Sequence, residues 1–219
     1  MKDVELKEKT QKARRSKRQV DCVVIPPPYY QDDCVTIYNA DCMDIVESLA
    51  PDVIITDPPY PNFHIDGYNY YDGILDFLTQ FGFLQLIFWT DKEDFPLNYT
   101  AKHKWNKLCG TYATTENIYE RNGKNIPYSF NYQKIKNKID AQMNRDILTG
   151  HKSQKPQRLM KELVKKFSEP GDTILDPFMG SGSTLFAAKE MGRKSIGIEL
   201  NKKWCKVAAE RLAQGVLPL

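Results

Sequence analysis

Three short, mostly apolar runs constrain the fold more than any other feature of this chain. Val53-Ile54-Ile55-Thr56, Leu84 to Trp89 and Thr173-Ile174-Leu175 are each too short for a helix, and turn-forming residues bound them. A strand that is apolar on both sides needs cover on both faces, which a parallel sheet sandwiched between helices provides. The rest of the pattern agrees. Val35-Thr36-Ile37-Tyr38 reads as a strand, followed by a turn at Asn39-Ala40-Asp41 and a helix from Met43 to Leu49. Leu159, Leu163, Val164 and Phe167 give one helical face that Pro170-Gly171 ends. Leu185 to Met191 reads as a helix, Ser195 to Leu200 as a strand, and a last amphipathic helix carries Trp204, Val207, Ala208 and Leu212. Strands alternating with helices predict an α/β fold with a mostly parallel sheet.

The 219 residues suit one domain. Residues 1–20 carry eight Lys or Arg against three acids and show no apolar periodicity, so they read as a basic flexible arm. Residues 21–219 form the expected single domain. Within it, 91–150 reads as an insertion around shorter strands, because its periodicity is weak and it is rich in Lys, Asn, Tyr and Gly. Residues 101–138 carry eight Lys or Arg against only Glu116 and Glu120. Two basic segments on a mildly acidic body suit a partner with a phosphate backbone. The charged N-terminus has no apolar h-region and no stretch has the length of a membrane span, so a cytoplasmic protein without membrane contact is expected. The five cysteines, Cys22, Cys34, Cys42, Cys109 and Cys205, show no C-x-x-C spacing and the three histidines are scattered, so no metal is expected.

Two strand ends carry the chemistry. Asp176-Pro177-Phe178-Met179-Gly180-Ser181-Gly182-Ser183-Thr184 turns from strand to helix, and its two glycines let backbone approach a ligand at a helix N-terminus. A dinucleotide fingerprint would want a third glycine where Leu185 stands. Glu199, some twenty residues on at the next strand's end, suits hydrogen bonds to ribose hydroxyls. The second strand end is Asp57-Pro58-Pro59-Tyr60. Its prolines stiffen the backbone so that a carbonyl projects as a fixed acceptor, Asp57 supplies a second acceptor, and Tyr60 offers a flat face for stacking.

Taken together, these two motifs resemble those of the amino-DNA methyltransferases, the N6-adenine and N4-cytosine DNA methylases. The acceptor motif precedes the cofactor motif, as in the circularly permuted beta group of that family. His151-Lys152-Ser153-Gln154-Lys155-Pro156 is similar to the family's His-Pro-Thr-Gln-Lys-Pro element, with Lys152 and Ser153 departing from it. Asn39-Ala40-Asp41-Cys42 resembles its Gly-Asp-Cys element. The resemblance spans roughly Val35 to Leu212 and implies a Rossmann-like fold built on a seven-stranded-type sheet. It also implies methyl transfer from S-adenosylmethionine, leaving S-adenosylhomocysteine, to an exocyclic base amine.

The resemblance further implies residue roles. Asp57 and the Pro58 carbonyl would accept the amine's N–H groups, with Pro59 stiffening the turn and Tyr60 stacking on a flipped-out base. Asp176, Phe178, Gly180 and Gly182 would surround the methionine portion, with Ser153 and Lys155 near its tail. Glu199 would bind the ribose, and Asp41 and Cys42 the adenine. The aromatic stretch from Tyr60 to Tyr71 is a candidate lid. Residues 101–138, with Trp105 and several tyrosines, are the candidate DNA-contact region. Relatives in this group often dimerise, and so short a recognition region suits a homodimer. Asp at position 57 leans toward N6 of adenine in DNA. The alternatives are N4 of cytosine and a non-catalytic nucleic-acid-binding protein that kept the fold.

Overall fold

The computed structural model describes residues 25–60, 73–107, 114–124, 126–134, 138, 140, 147–151 and 153–214. The predicted basic arm, the aromatic stretch after Tyr60 and parts of 101–138 lie outside those residues. Among the described residues, nine strands form one sheet: β1 (Tyr30–Gln31), β2 (Val35–Tyr38), β3 (Val53–Thr56), β4 (Leu84–Trp89), β5 (Ala101–Lys107), β6 (Thr114–Arg121), β7 (Ser129–Tyr132), β8 (Thr173–Asp176) and β9 (Lys194–Ile198). Their order across the sheet is β1-β2-β9-β8-β3-β4-β6-β5-β7. The five strands from β2 to β4 run parallel, and β6 is antiparallel to both β4 and β5. With the short edge strands β1 and β7 set aside, this is the expected seven-stranded, mostly parallel sheet.

The three apolar runs are the three central neighbours. Val53 lies opposite both Leu84 and Ile174. Alternate residues then face opposite sides of the sheet. Val53, Ile55, Leu86, Phe88 and Ile174 pack against Leu159, Met160, Leu163, Val164 and Phe167 of helix α3 (Gln157–Phe167). Ile54, Ile87, Trp89 and Leu175 pack on the other face against Cys42 and Ile45 of α1 (Cys42–Ile45) and Ile74, Phe77 and Leu78 of α2 (Ile74–Thr79). The helices α4 (Ser183–Glu190) and α5 (Lys202–Ala213) complete the fold, α5 burying Cys205, Ala208 and Leu212 against β2. Both faces are covered, and the architecture is Rossmann-like. Among the described residues no helix is long and apolar enough to cross a membrane.

Leu163 is fully buried at the centre of the α3 face and far in sequence from either motif. Leu163→Ala is expected to cost about 2–5 kcal/mol of stability by opening a cavity, read as a lower urea midpoint at unchanged slope.

Two expectations differ from the fold. The helix predicted from Met43 to Leu49 is one α-turn followed by a 3-10 turn at Val46–Ser48. Pro51 disfavours the helical region for Ala50, and the chain is already extended at Leu49. The segment read as an insertion supplies β5, β6 and β7, which continue the main sheet; β6 pairs with β4 from Gln85↔Arg121 to Trp89↔Asn117. Polar residues hide these strands from a hydropathy reading because their partners are also inside. His103 and Glu120 are fully buried and 3.1 Å apart. The Arg121 guanidinium donates to Gln85 Oε1 and to the carbonyls of Leu78 and Asn98.

Candidate active site

The topology itself opens a crevice. From β3 the chain goes through α2 to β4 on one side, and from β8 through α4 to β9 on the other. The carboxyl ends of the adjacent pair β3 and β8 therefore face a gap in helix cover, the point at which open α/β sheets bind ligands. A cleft of about 320 Å³ lies there. It is lined by Asp41, Cys42, Asp57, Pro58, Pro59, Tyr60, Ser153, Lys155, Asp176, Phe178, Gly180 and Glu199. The structure thus gathers twelve of the site residues read from the sequence into one cavity. Gly182 stands behind its wall, packed toward Ala208.

On the β8 side the Asp176 carboxylate is spent on the protein. Its Oδ1 accepts from Thr56 Oγ1 at 2.9 Å and the Phe178 amide at 3.2 Å, and its Oδ2 accepts from Thr184 Oγ1 at 2.6 Å. It ties the ends of β3 and β8 to the start of α4. Burial pushes its carboxyl up to about 6, against the pull of those donors. Gly180 and Gly182 have φ of +51° and +76°, conformations that favour glycine. A Cβ on Gly180 would lie 3.1 Å from the His151 ring. Asp176 pairs with Gly197 across β8 and β9, which sets Glu199 at the mouth of the same turn. Glu199 accepts from the amides of Gly180 (3.1 Å) and Asn201 (2.7 Å). Asn39 donates to the carbonyls of Glu199 and Leu200, docking the Asn39–Cys42 segment beside them. Asp41 caps α1 by accepting from the Met43 amide.

On the β3 side the Tyr60 hydroxyl lies 2.6 Å from Asp57 Oδ1 and 3.2 Å from Glu116 Oε1, and its ring meets Trp89 edge-on at 5.3 Å. Lys155, expected near the methionine tail, lines the same cleft and reaches the β3 side of it. Its ammonium donates to Asp57 Oδ2 at 2.6 Å and Glu116 Oε1 at 2.8 Å. The Pro156 entry to α3 directs the side chain across the sheet toward β4 and β6, where it lies 4.7 Å from the centroid of the Phe88 ring. Lys107 closes the cluster, 2.6 Å from Glu116 Oε2.

Glu116 and Lys107 are cleft residues to which the sequence reading assigns no role, and His151 enters that reading only as the first residue of the 151–156 element. One signal was present: Glu116 and Glu120 are the sole acids in the basic stretch 101–138, and both are buried. Trp105, expected on the DNA side, is instead core. It is 1% exposed, and its indole N–H donates to the Tyr132 carbonyl. The alternation of β5 turns Ala101, His103 and Trp105 inward and leaves Lys104 exposed.

His151 lies edge-on to Trp204 at 4.5 Å. Burial, with Lys155 nearby, lowers its pKa from 6.5 to about 4. Between those values the unfolded chain holds a proton that the folded chain does not, so His151 removes stability as pH falls through this window. Asp176 acts in the opposite sense, its folded value of about 6 lying above the ordinary 3.8. His151→Gln is therefore expected to flatten the decline of Tm between pH 6.5 and pH 4. Parallel wild-type and variant curves would contradict the buried neutral imidazole.

A family model described as DNA methylase matches residues 74–210. The type II methyltransferase M2.LlaDCHI of Lactococcus lactis subsp. cremoris is 26% identical over 261 residues, covering 88% of this chain and 94% of the relative. The DNA adenine methyltransferase YhdJ of Escherichia coli (strain K12) is 39% identical over 93 residues, 41% of this chain and 32% of the relative. The chain therefore spans nearly all of the first relative and about a third of the second. Among solved structures, the M1.HpyAVI–SAM complex superposes with a TM-score of 0.59 at 24% identity, over 81% of this chain and 98% of the other. That likeness is one of fold.

Proposed function

Because the chain belongs to the DNA methylase family, whose model covers more than half of it, we propose that it methylates N6 of adenine in DNA with S-adenosylmethionine as donor. One observation carries the reading: the Asp57–Tyr60 turn and the Gly180–Gly182 turn end adjacent parallel strands and, with Glu199, frame a single cleft.

The residues suit the donor. It bears an amino-acid end, a sulfonium cation and a ribosyl adenine. The glycine turn offers backbone where a Cβ at Gly180 would crowd His151. Glu199 stands at a strand end suited to ribose hydroxyls, and Asp41 with Cys42 forms the wall for the adenine. Phe178 and Ser153 flank the methionine portion. Gly182 acts through the shape of the turn, and Asp176 by locking that turn to β3.

S-adenosylmethionine supplies an electrophilic methyl group when bound. The other work falls to the protein. An aromatic amine is a poor nucleophile because its lone pair is delocalised into the ring. Asp57 and the Pro58 carbonyl accept its two N–H groups, which draws the nitrogen toward tetrahedral geometry and stabilises the positive charge it develops. Pro59 keeps the Pro58 carbonyl from turning away. The Tyr60 ring, braced by Trp89, stacks on the base. A base still paired in a duplex cannot reach this cleft, so the target is flipped out or single-stranded.

Lys104 and Lys124, exposed on the β5–β7 side, remain candidates for the phosphate backbone. A homodimer and a cytoplasmic setting, in a prokaryotic cell or a phage's host, complete the reading. Expression in a bacterial strain that lacks adenine methylation, followed by modification-sensitive sequencing, is expected to show N6-methyladenine at a recurring motif. N4-methylcytosine there would overturn the choice of base, and an unmodified genome would turn the search to RNA or protein acceptors.

A further inference from the structure

We propose that Lys155, itself held charged and in place by Glu116 with Lys107 behind it, is a positioning residue that keeps the Asp57 carboxylate ionised and turned toward the target amine. The inference rests on the reading of Asp57 as the acceptor for that amine.

Four charged side chains from four separate segments meet at the cleft floor. Asp57 follows β3, Lys155 precedes α3, Glu116 lies on β6 and Lys107 ends β5. They alternate in sign, Asp57–Lys155–Glu116–Lys107, with contacts of 2.6, 2.8 and 2.6 Å. Two carboxylates and two ammonium groups leave the cluster neutral. Lys155 and Glu116 are only 10% and 8% exposed. Taking two of these ions out of water, and the other two mostly so, is costly, and apolar side chains of equal volume often serve stability as well or better. A cluster of this kind beside a strand-end motif therefore points to function.

The geometry identifies what the cluster acts on. Asp57 Oδ2 is held by Lys155 and Oδ1 by the Tyr60 hydroxyl, so the carboxylate plane is fixed from two sides. Each oxygen keeps a second lone pair for an incoming N–H group. Ionisation matters because a charged acceptor binds an N–H group about twice as strongly as a neutral one. A protonated carboxyl would instead present a donor to a donor. Burial pushes Asp57 above the usual carboxylate range, and Lys155 opposes that push. Burial would also raise Glu116, but Lys155 and Lys107 hold it below its ordinary value. Burial would strip the proton from Lys155, yet Asp57 and Glu116 keep it charged. The other titratable groups lining this cleft are Tyr60 on the same turn, Asp176 on β8, His151 before α3, Glu199 after β9, Asp41 and Cys42 at the start of α1, and Lys134. His151 is neutral at pH 7, which leaves Lys155 as the cation that faces Asp57.

The test is a carboxyl carbon-13 titration of the full chain labelled at aspartate, run beside kcat–pH profiles on DNA. The Asp57 signal is assigned by its loss in Asp57→Asn. In Lys155→Met the Asp57 midpoint is expected to rise by at least about one pH unit, tenfold in proton affinity, and the acid limb of kcat to rise with it. In the double variant Lys155→Met/Glu116→Gln the cluster is neutral again, and both midpoints should move back. A lysine with a merely structural role would give neither the shift nor the return. Should Lys155→Met fail to fold, Lys155→Gln, which keeps a polar group at that place without the charge, must raise the Asp57 midpoint in the same way. An Asp57 midpoint unchanged in the folded variants overturns the proposal. A wild-type chain that methylates no DNA would instead sink the reading of Asp57 as acceptor, and the titration would still report whether the cluster holds the carboxylate.

Discussion

Replacement of Asp57 with alanine is expected to lower kcat for methyl transfer by about 10²–10³-fold, the usual cost of deleting one preorganised group that faces developing charge. Cofactor affinity should hardly change. Asp57 follows β3, whereas the glycine turn and Glu199 follow β8 and β9. The turn on the cofactor side is held by hydrogen bonds among the side chains of Asp176, Thr56 and Thr184, in which the Asp57 carboxylate takes no part. The fold should survive as well, since Lys155 keeps Glu116 as partner. Calorimetry of cofactor binding and single-turnover transfer, measured on the same preparation, separate the two effects. A variant that bound cofactor normally and transferred methyl at the wild-type rate would remove Asp57 from the chemistry.

The second large effect lies on the other turn. Gly182 has φ of +76°, and a Cβ there would sit 3.0 Å from the Cβ of Ala208. Valine, branched at that carbon, fits the left-handed region badly, and holding it there costs about 1–3 kcal/mol. The turn can relieve the strain by shifting, which moves the Gly180 amide off Glu199. Two to three kcal/mol spent in this way corresponds to roughly a 30- to 150-fold loss of cofactor affinity. Gly182→Ala, with the same φ but no branch, should fall between the two. Wild-type affinity in Gly182→Val would mean that the turn does not shape the binding surface.

What the sequence revealed depended on how each element is buried. The central strands β3, β4 and β8 are covered on both faces, so Val53–Thr56, Leu84–Trp89 and Thr173–Leu175 appear as apolar runs and were legible. Helix α3 shows a clean stripe because one face packs on the sheet and Lys161 and Lys165 face away. The strands β5 and β6 were obscured because their inward positions hold His103, Glu116, Glu120 and Arg121, polar groups made tolerable by partners distant in sequence. The same long-range pairing hid the charged cluster. Nothing local to Lys155 says that its ammonium will meet a carboxylate 98 residues earlier. Trp105 illustrates the converse: an aromatic in a basic stretch suggested a nucleic-acid contact, but its register on β5 turned it into the core. The motif residues were easier to read because their role depends on local backbone, two prolines in one turn and two glycines in the other.

On the proposed reading, these two turns form one site for transfer to N6 of adenine. The most direct test of that reading is incubation of the chain with unmethylated duplex DNA and S-adenosylmethionine labelled in the methyl group, with the product digested to nucleosides and resolved. The account predicts label in N6-methyladenosine of the deoxy series, strongly reduced in Asp57→Ala. Label in another nucleoside, or equal label with the variant, would contradict it.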